Sequence, residues 1–122
     1  MSNKLNALDL AFLSLEKQST PVNVASLAIF EIPKNYKGNF TRDLLAKLES
    51  QAAGPPFNQK LSSVHSAALP SWKTDTNFDI HYHVRHSALP KPGRLDDLLE
   101  LASRLHSRLL YRERPLWEFN FI

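Results

Sequence analysis

Apolar residues in this chain switch repeatedly between two spacings, and that switching limits the fold more than any other feature. Three- and four-residue spacing marks Leu5 to Glu16 (Leu5, Leu8, Ala11, Phe12, Leu15), Thr41 to Ala53 (Leu44, Leu45, Leu48, Ala52) and Leu95 to Leu110 (Leu95, Leu98, Leu99, Ala102, Leu105, Leu109). That is the pattern of one-sided helices. Two-residue spacing marks Val22 to Ile32, Phe78 to Ala88 and Trp117 to Phe121, the pattern of strands. The order predicts helix, strand, helix, irregular, strand, helix, strand. This is a layered α/β (α+β) arrangement with a mixed sheet and packed helices. The 122 residues suit a single domain with a real core.

Local signals sharpen the boundaries. Ser2 or Asn3 suits the cap of the first helix, and Thr20-Pro21 stops it. Val22 to Ile32 carries apolar residues on both faces, which predicts a central, covered strand. Thr41 suits a helix cap, Asp43 the positive helix start, and Gly54 with Pro55-Pro56 a stop. A short strand is expected near Leu61 to His65, and an edge strand or turn at Leu69 to Trp72. In Phe78 to Ala88, Phe78, Ile80, Tyr82, Val84, His86 and Ala88 share one face, and Asp79, His81, His83, Arg85 and Ser87 the other. Trp117, Phe119 and Phe121 alternate up to Ile122. This predicts a chain cut inside a strand, as the front portion of something longer; the alternative is a final strand locked into its own sheet.

Composition removes several function classes. The chain has no cysteine, which excludes disulfide frameworks, thiolate metal sites and cysteine nucleophiles. Its three glycines form no phosphate-cradling motif. The net charge of +3 is spread along the chain, a poor footprint for nucleic acid. No apolar run is long enough to span a membrane. Asp9 and Glu16 interrupt the N-terminal apolar residues, so no signal peptide is expected and a cytoplasmic location follows.

Asp79, His81 and His83 would leave one face of a strand, and two histidines with a carboxylate are a zinc-binding set. The plainer reading, a solvent-facing polar side, is favoured because Arg85 adds a positive charge to that face; no metal site is expected. His86, on the apolar face, is expected to be a hydrogen-bonded core histidine. His106 is expected to be solvated. Ser63 lies two residues before His65, but no nucleophile elbow accompanies it. Arg104, Arg108, Arg112 and Arg114 suit either phosphate binding or a helix C-terminus. The aromatic stripe of Trp117, Phe119 and Phe121 is expected to be core rather than a ligand tunnel.

Several segments, in order, resemble the N-terminal part of the bacterial wax ester synthase / diacylglycerol acyltransferase family. They are Leu8-Asp9-Leu10-Ala11-Phe12-Leu13 with Glu16, Pro21 to Glu31, Pro55-Pro56-Phe57, and Phe78-Asp79-Ile80 followed by Tyr82-His83-Val84-Arg85-His86 and Leu89-Pro90. Ser103 to Ser107 then leads to Arg114-Pro115-Leu116-Trp117-Glu118, which holds the family's Pro-Leu-Trp signature. The resemblance implies a partial lobe of a coenzyme A-dependent acyltransferase-like fold, with residues 1–122 forming one N-terminal domain truncated before the catalytic motif. It implies fatty acyl transfer from acyl-coenzyme A, as substrate rather than bound cofactor, to a long-chain alcohol or diacylglycerol. Pro115, Leu116 and Trp117 become the candidate substrate-binding or structural motif. The family's His-His-x-x-x-Asp-Gly, whose second histidine acts as general base, is absent from this sequence, so the chain alone is expected to be inactive and no catalytic residue is assigned. The implied partners are the substrates and a missing C-terminal continuation. Surface left bare would favour self-association or contact with the periphery of membranes or lipid droplets. The alternative is a non-enzymatic lipid- or partner-binding module.

Overall fold

The computed structural model describes residues 3–52, 54–63 and 68–122. Ser2, Ala53 and the Val64 and His65 end of the expected short strand lie outside them. The elements are β1 (Asn3–Lys4), α1 (Ala7–Leu15), α2 (Phe40–Gln51), β2 (Gln59–Leu61), β3 (Ser71–Thr74), α3 (Ile80–His83), β4 (Val84–His86), α4 (Leu95–His106) and β5 (Phe119–Phe121). They form an α/β arrangement of helices with small sheets; in place of the expected single mixed sheet there are two separate ones.

Asparagine side chains set the starts of the first two helices. Asn6 Oδ1 accepts from the Asp9 N–H at 2.7 Å, and Asn39 Oδ1 accepts from the Arg42 N–H at 3.0 Å. Both bonds satisfy N–H groups that have no partner inside the helix. Asn6 therefore replaces Ser2 or Asn3, and Asn39 replaces Thr41, as the residue that opens the helix. Gly38 precedes Asn39 with φ +114°, a region that disfavours side chains. A Cβ there would lie 3.3 Å from the Asp43 carboxylate, which accepts the Tyr36 hydroxyl at 2.5 Å. That bond to a carboxylate raises the Tyr36 hydroxyl above its usual range. The long helix α4 ends at His106, four residues before the expected Leu110. There the Ser107 hydroxyl donates to the Arg104 carbonyl at 2.8 Å and Asn23 Nδ2 donates to the Arg108 carbonyl at 3.1 Å, so local and tertiary bonds take over from the helical ladder.

The strands form two sheets that share no strand. One is antiparallel and three-stranded, in the order β1-β3-β2, with Asn3 opposite Trp72 and Leu61 opposite Trp72 on the other side. The segment read as an edge strand or turn thus becomes the central strand. In the second sheet β4 pairs in parallel with β5, Val84 opposite Phe119 and His86 opposite Phe121. A parallel pair needs a crossover, and α4 lies within it.

Two expectations are corrected. Val22 to Ile32 is not a covered strand: among the described residues its backbone has no ladder partner, and Val24 and Phe30 are 88% and 86% exposed. A β-type sequence becomes a strand only when another strand pairs with it. Phe78 to Ala88 is likewise not one strand. Asp79 Oδ1 accepts from the His81 N–H at 3.0 Å and opens the single turn α3. The strand begins only at Val84.

The core is small. Among the described residues the buried apolar side chains are Leu5, Ala52, Leu61, Val84 and Pro115, and none lies on the apolar stripe of α4, whose Leu95 is 58% exposed. A compact monomer of 13.9 kDa exposes about 6,700 Å², whereas this chain exposes 9349 Å². The real core expected from chain length is therefore not closed by these residues alone.

A buried ion pair fixes one edge of the antiparallel sheet. Lys60 and Lys73 face each other across β2 and β3, a repulsive pairing in isolation. Asp75, 5% exposed, takes Lys60 Nζ at 3.0 Å and the Asn77 N–H at 3.1 Å. Burial pushes the Asp75 carboxyl up, but the bonds from Lys60 and Asn77 and the field of Lys60 and Arg114 outweigh it and hold it below the usual range. A depressed carboxylate contributes stability that is present above its unfolded value of about 3.9 and is lost as pH falls through the folded value. Wild-type unfolding free energy should therefore fall below about pH 4, and Asp75→Asn should remove that part of the slope. Equal acid slopes in denaturant titrations of the two proteins would show that Asp75 is not held in this way.

Candidate functional site

The candidate motif Pro115-Leu116-Trp117 lies in the turn that leads into β5. Pro115 is buried, and the Trp117 N–H donates to the Pro115 carbonyl at 3.0 Å, closing a tight turn. The indole Nε1–H of Trp117 donates to the Phe57 carbonyl at 2.7 Å, while the Phe57 ring meets the indole edge-on at 5.7 Å. The indole also packs on His83 at 4.6 Å and Phe78 at 6.4 Å between ring centroids. His83 Nδ1 lies 2.8 Å from the Trp117 carbonyl oxygen. Trp117 is thus held by its ring and by both ends of its main chain.

On the open side of this cluster is a groove of about 370 Å³ lined by Pro56, Phe57, Gln59, Trp72, Leu116 and Trp117. Its walls are two indoles, a phenyl ring, a proline and a leucine, with Gln59 as the one uncharged polar side chain. Such a lining suits an apolar chain or ring and carries no group for proton transfer. A larger groove of about 530 Å³ runs between Glu16–Gln18 and Leu109–Glu113, away from the motif.

The other sequence candidates disperse. Because Ile80 to His83 is a helical turn, His81 and His83 point apart. His81 reaches Glu49 at 3.6 Å in solvent, Asp79 is used as a cap, and His83 is fully buried. Among the described residues no cluster of histidine, aspartate or glutamate side chains is suited to hold a metal ion. The histidines exchange their expected roles: His86 is exposed beside Phe121 at 5.5 Å, and His83, read as solvent-facing, is the enclosed one. The helical turn reverses the alternation on which both expectations rested. His106 is exposed, as expected, and His65 lies outside the described residues. The arginine group is also divided. Arg112 donates to the Leu13 carbonyl at 2.7 Å and pairs with Glu16 at 3.4 Å. Arg114 lies 4.2 Å over the Tyr82 ring, a cation–π contact. Arg104 and Arg108 are exposed on the helix end.

The sequence matches the wax ester synthase/diacylglycerol acyltransferase catalytic domain over residues 5–122. The chain belongs to this family. A putative diacylglycerol O-acyltransferase of Mycobacterium tuberculosis is 43% identical over 120 residues, covering 97% of this chain and 27% of the relative. The O-acyltransferase WSD of Acinetobacter baylyi is 42% identical over 120 residues, covering 97% of this chain and 25% of the relative. A solved wax ester synthase/diacylglycerol acyltransferase from Marinobacter aquaeolei VT8 superposes with a TM-score of 0.76 at 34% identity, covering 97% of this chain and 28% of that one. The chain therefore spans about a quarter of the length of these family members, and its fold is the corresponding part of the acyltransferase fold.

Of the residues brought together here, Pro115, Leu116 and Trp117 stand out in the sequence as a motif and Phe57 only as part of the Pro55-Pro56-Phe57 turn, whereas the burial of His83 and of Asp75 does not show there. The available signal was the run Asp75-Thr76-Asn77-Phe78-Asp79, which is rich in residues that start turns and helices. If Trp117 anchors this region, Trp117→Ala should lower unfolding free energy by about 2–3 kcal/mol, less than for a fully buried indole. Trp117→Phe, which loses the bond to Phe57 and part of the ring packing but keeps an aromatic ring, should cost less than the alanine change, about 1–2 kcal/mol. Denaturant unfolding measures both, and an alanine variant of wild-type stability would show that the indole is no anchor.

Proposed function

We propose that this chain supplies the N-terminal section of an acyl-coenzyme A-dependent O-acyltransferase. It would contribute an apolar wall and scaffold to a larger body that transfers a fatty acyl group to a long-chain alcohol or to diacylglycerol. The family membership over residues 5–122 carries this reading, and the exposed area supports it. Roughly 2,700 Å² beyond that of a compact monomer is the scale of an obligate interface. The uncovered side chains are those expected to be covered: Val24 and Phe30 of the extended segment and Leu95 and Leu99 of α4. Residues 1–122 act as one N-terminal domain, with Pro115 shaping the turn and Leu116 and Trp117 forming the groove wall against a substrate's apolar portion. Acyl-coenzyme A enters as substrate, not as a resident cofactor.

The chain has no His-His-x-x-x-Asp-Gly, and the groove offers no general base, so the imidazole that deprotonates the acceptor must come from other residues. No helix among the described residues is long and apolar enough to cross a membrane. The same reading has the protein act in the cytoplasm, its bare apolar surface drawing it to membrane or lipid-droplet peripheries or to itself. The exposed area also favours a second reading, a non-enzymatic binding module.

One experiment separates the readings. The 122-residue protein alone should transfer no acyl group from palmitoyl-coenzyme A to hexadecanol above a boiled control. Mixed with the separately expressed remainder of the Acinetobacter baylyi relative, which should itself be inactive, it should give turnover. Turnover by the short chain alone would overturn the proposal. Binding to the remainder without turnover would favour the binding module.

A further inference from the structure

His83 is the most enclosed large side chain among the described residues, 0% exposed, and the acyltransferase reading gives it no task. Its Nδ1 lies 2.8 Å from the Trp117 carbonyl oxygen. A carbonyl oxygen only accepts, so the bond requires the proton on Nδ1. Nε2 is buried and finds no hydrogen-bond partner among the described residues, so a proton there would be left without an acceptor. Both facts select the same tautomer. The ring is further fixed by Trp117 at 4.6 Å and 21°, Phe78 at 5.2 Å and 19°, and the edge of Tyr82 at 5.0 Å and 78°.

This bond sits at a particular point of the parallel sheet. His83 immediately precedes β4, and Trp117 is two residues before β5. The ladder between the strands has only three residue pairs. At its far end the Ser87 N–H donates to the Phe121 carbonyl at 2.8 Å. At its near end the next bond is made by the His83 side chain. So short a parallel ladder specifies its register weakly, and a one-residue slip would turn every side chain of β5 to the opposite face.

We propose that His83 is a positioning residue which, as the Nδ1–H tautomer, clamps the Trp117 carbonyl and so sets the register in which β5 leaves the Pro115-Leu116-Trp117 turn and joins β4. This rests on geometry alone and stands whether or not the acyl-transfer reading holds.

Long-range ¹H–¹⁵N spectra of the labelled 122-residue protein test the tautomer directly. His83 should show a pyrrole-type Nδ1 and a pyridine-type Nε2. The reverse assignment overturns the proposal without any variant. Two substitutions test the clamp. The amide nitrogen of His83→Asn occupies the place of Nδ1, whereas His83→Leu keeps bulk without a donor. The Asn variant should retain the Val84–Phe119 and His86–Phe121 cross-strand contacts. The Leu variant should lose them, or exchange the ladder amides about tenfold faster, the scale of one lost bond and one lost ring contact. A Leu variant with the wild-type register and exchange would show that His83 only fills space. If neither variant folds, the wild-type tautomer decides.

Discussion

The bond from the Trp117 indole to the Phe57 carbonyl joins two parts of the chain that no strand joins. Phe57 lies in the turn before β2, at the edge of the antiparallel sheet. Trp117 lies in the turn before β5, at the edge of the parallel pair. The two sheets are separate ladders, so their relative placement depends on side chains. The rings of Phe57, Phe78, His83 and Trp117 provide that link. Asp75 holds it from the other side: its main-chain N–H donates to the Asn58 carbonyl at 2.8 Å, bringing the Phe78 turn next to the Phe57 turn. With so few buried aliphatic side chains elsewhere, this aromatic cluster contributes much of the specific packing.

The same arrangement leaves some parts of the molecule closely packed and others bare. Around Trp117, donors and acceptors are matched and rings meet at ordinary stacking and edge distances. Along Val22 to Ile32, apolar side chains on both faces stand in solvent and the backbone has no ladder partner among the described residues. Apolar surface exposed on this scale is of the kind that partner chains, membranes or ligands cover. The relatives that this chain matches in the wax ester synthase/diacylglycerol acyltransferase family are about four times as long. One section thus holds a self-consistent anchor and a bare face together.

What could be read from the sequence follows the range of the interactions involved. Helices α1, α2 and α4 were legible because their spacing and caps are local, although the capping residues were displaced to Asn6 and Asn39. The Pro-Leu-Trp turn was legible as a motif. The fate of Val22 to Ile32 was not, because strand formation depends on a partner that the segment itself does not encode. The reversal of His83 and His86 has a smaller cause. Asp79 takes up the His81 N–H and inserts one helical turn, so side chains that alternate on paper exchange faces. Asp75 was missed because neither its burial nor its partner Lys60, fifteen positions earlier, leaves any periodic trace.

Amide hydrogen exchange along the whole chain tests most directly whether an aromatic anchor organises an otherwise uncovered section. The account predicts the slowest exchange in β4 and β5 and at Ser87, whose N–H is bonded to the Phe121 carbonyl, with near-unprotected amides from Val24 to Ile32. Strong protection across Val24 to Ile32 together with fast exchange at Arg85 to Ser87 would contradict it.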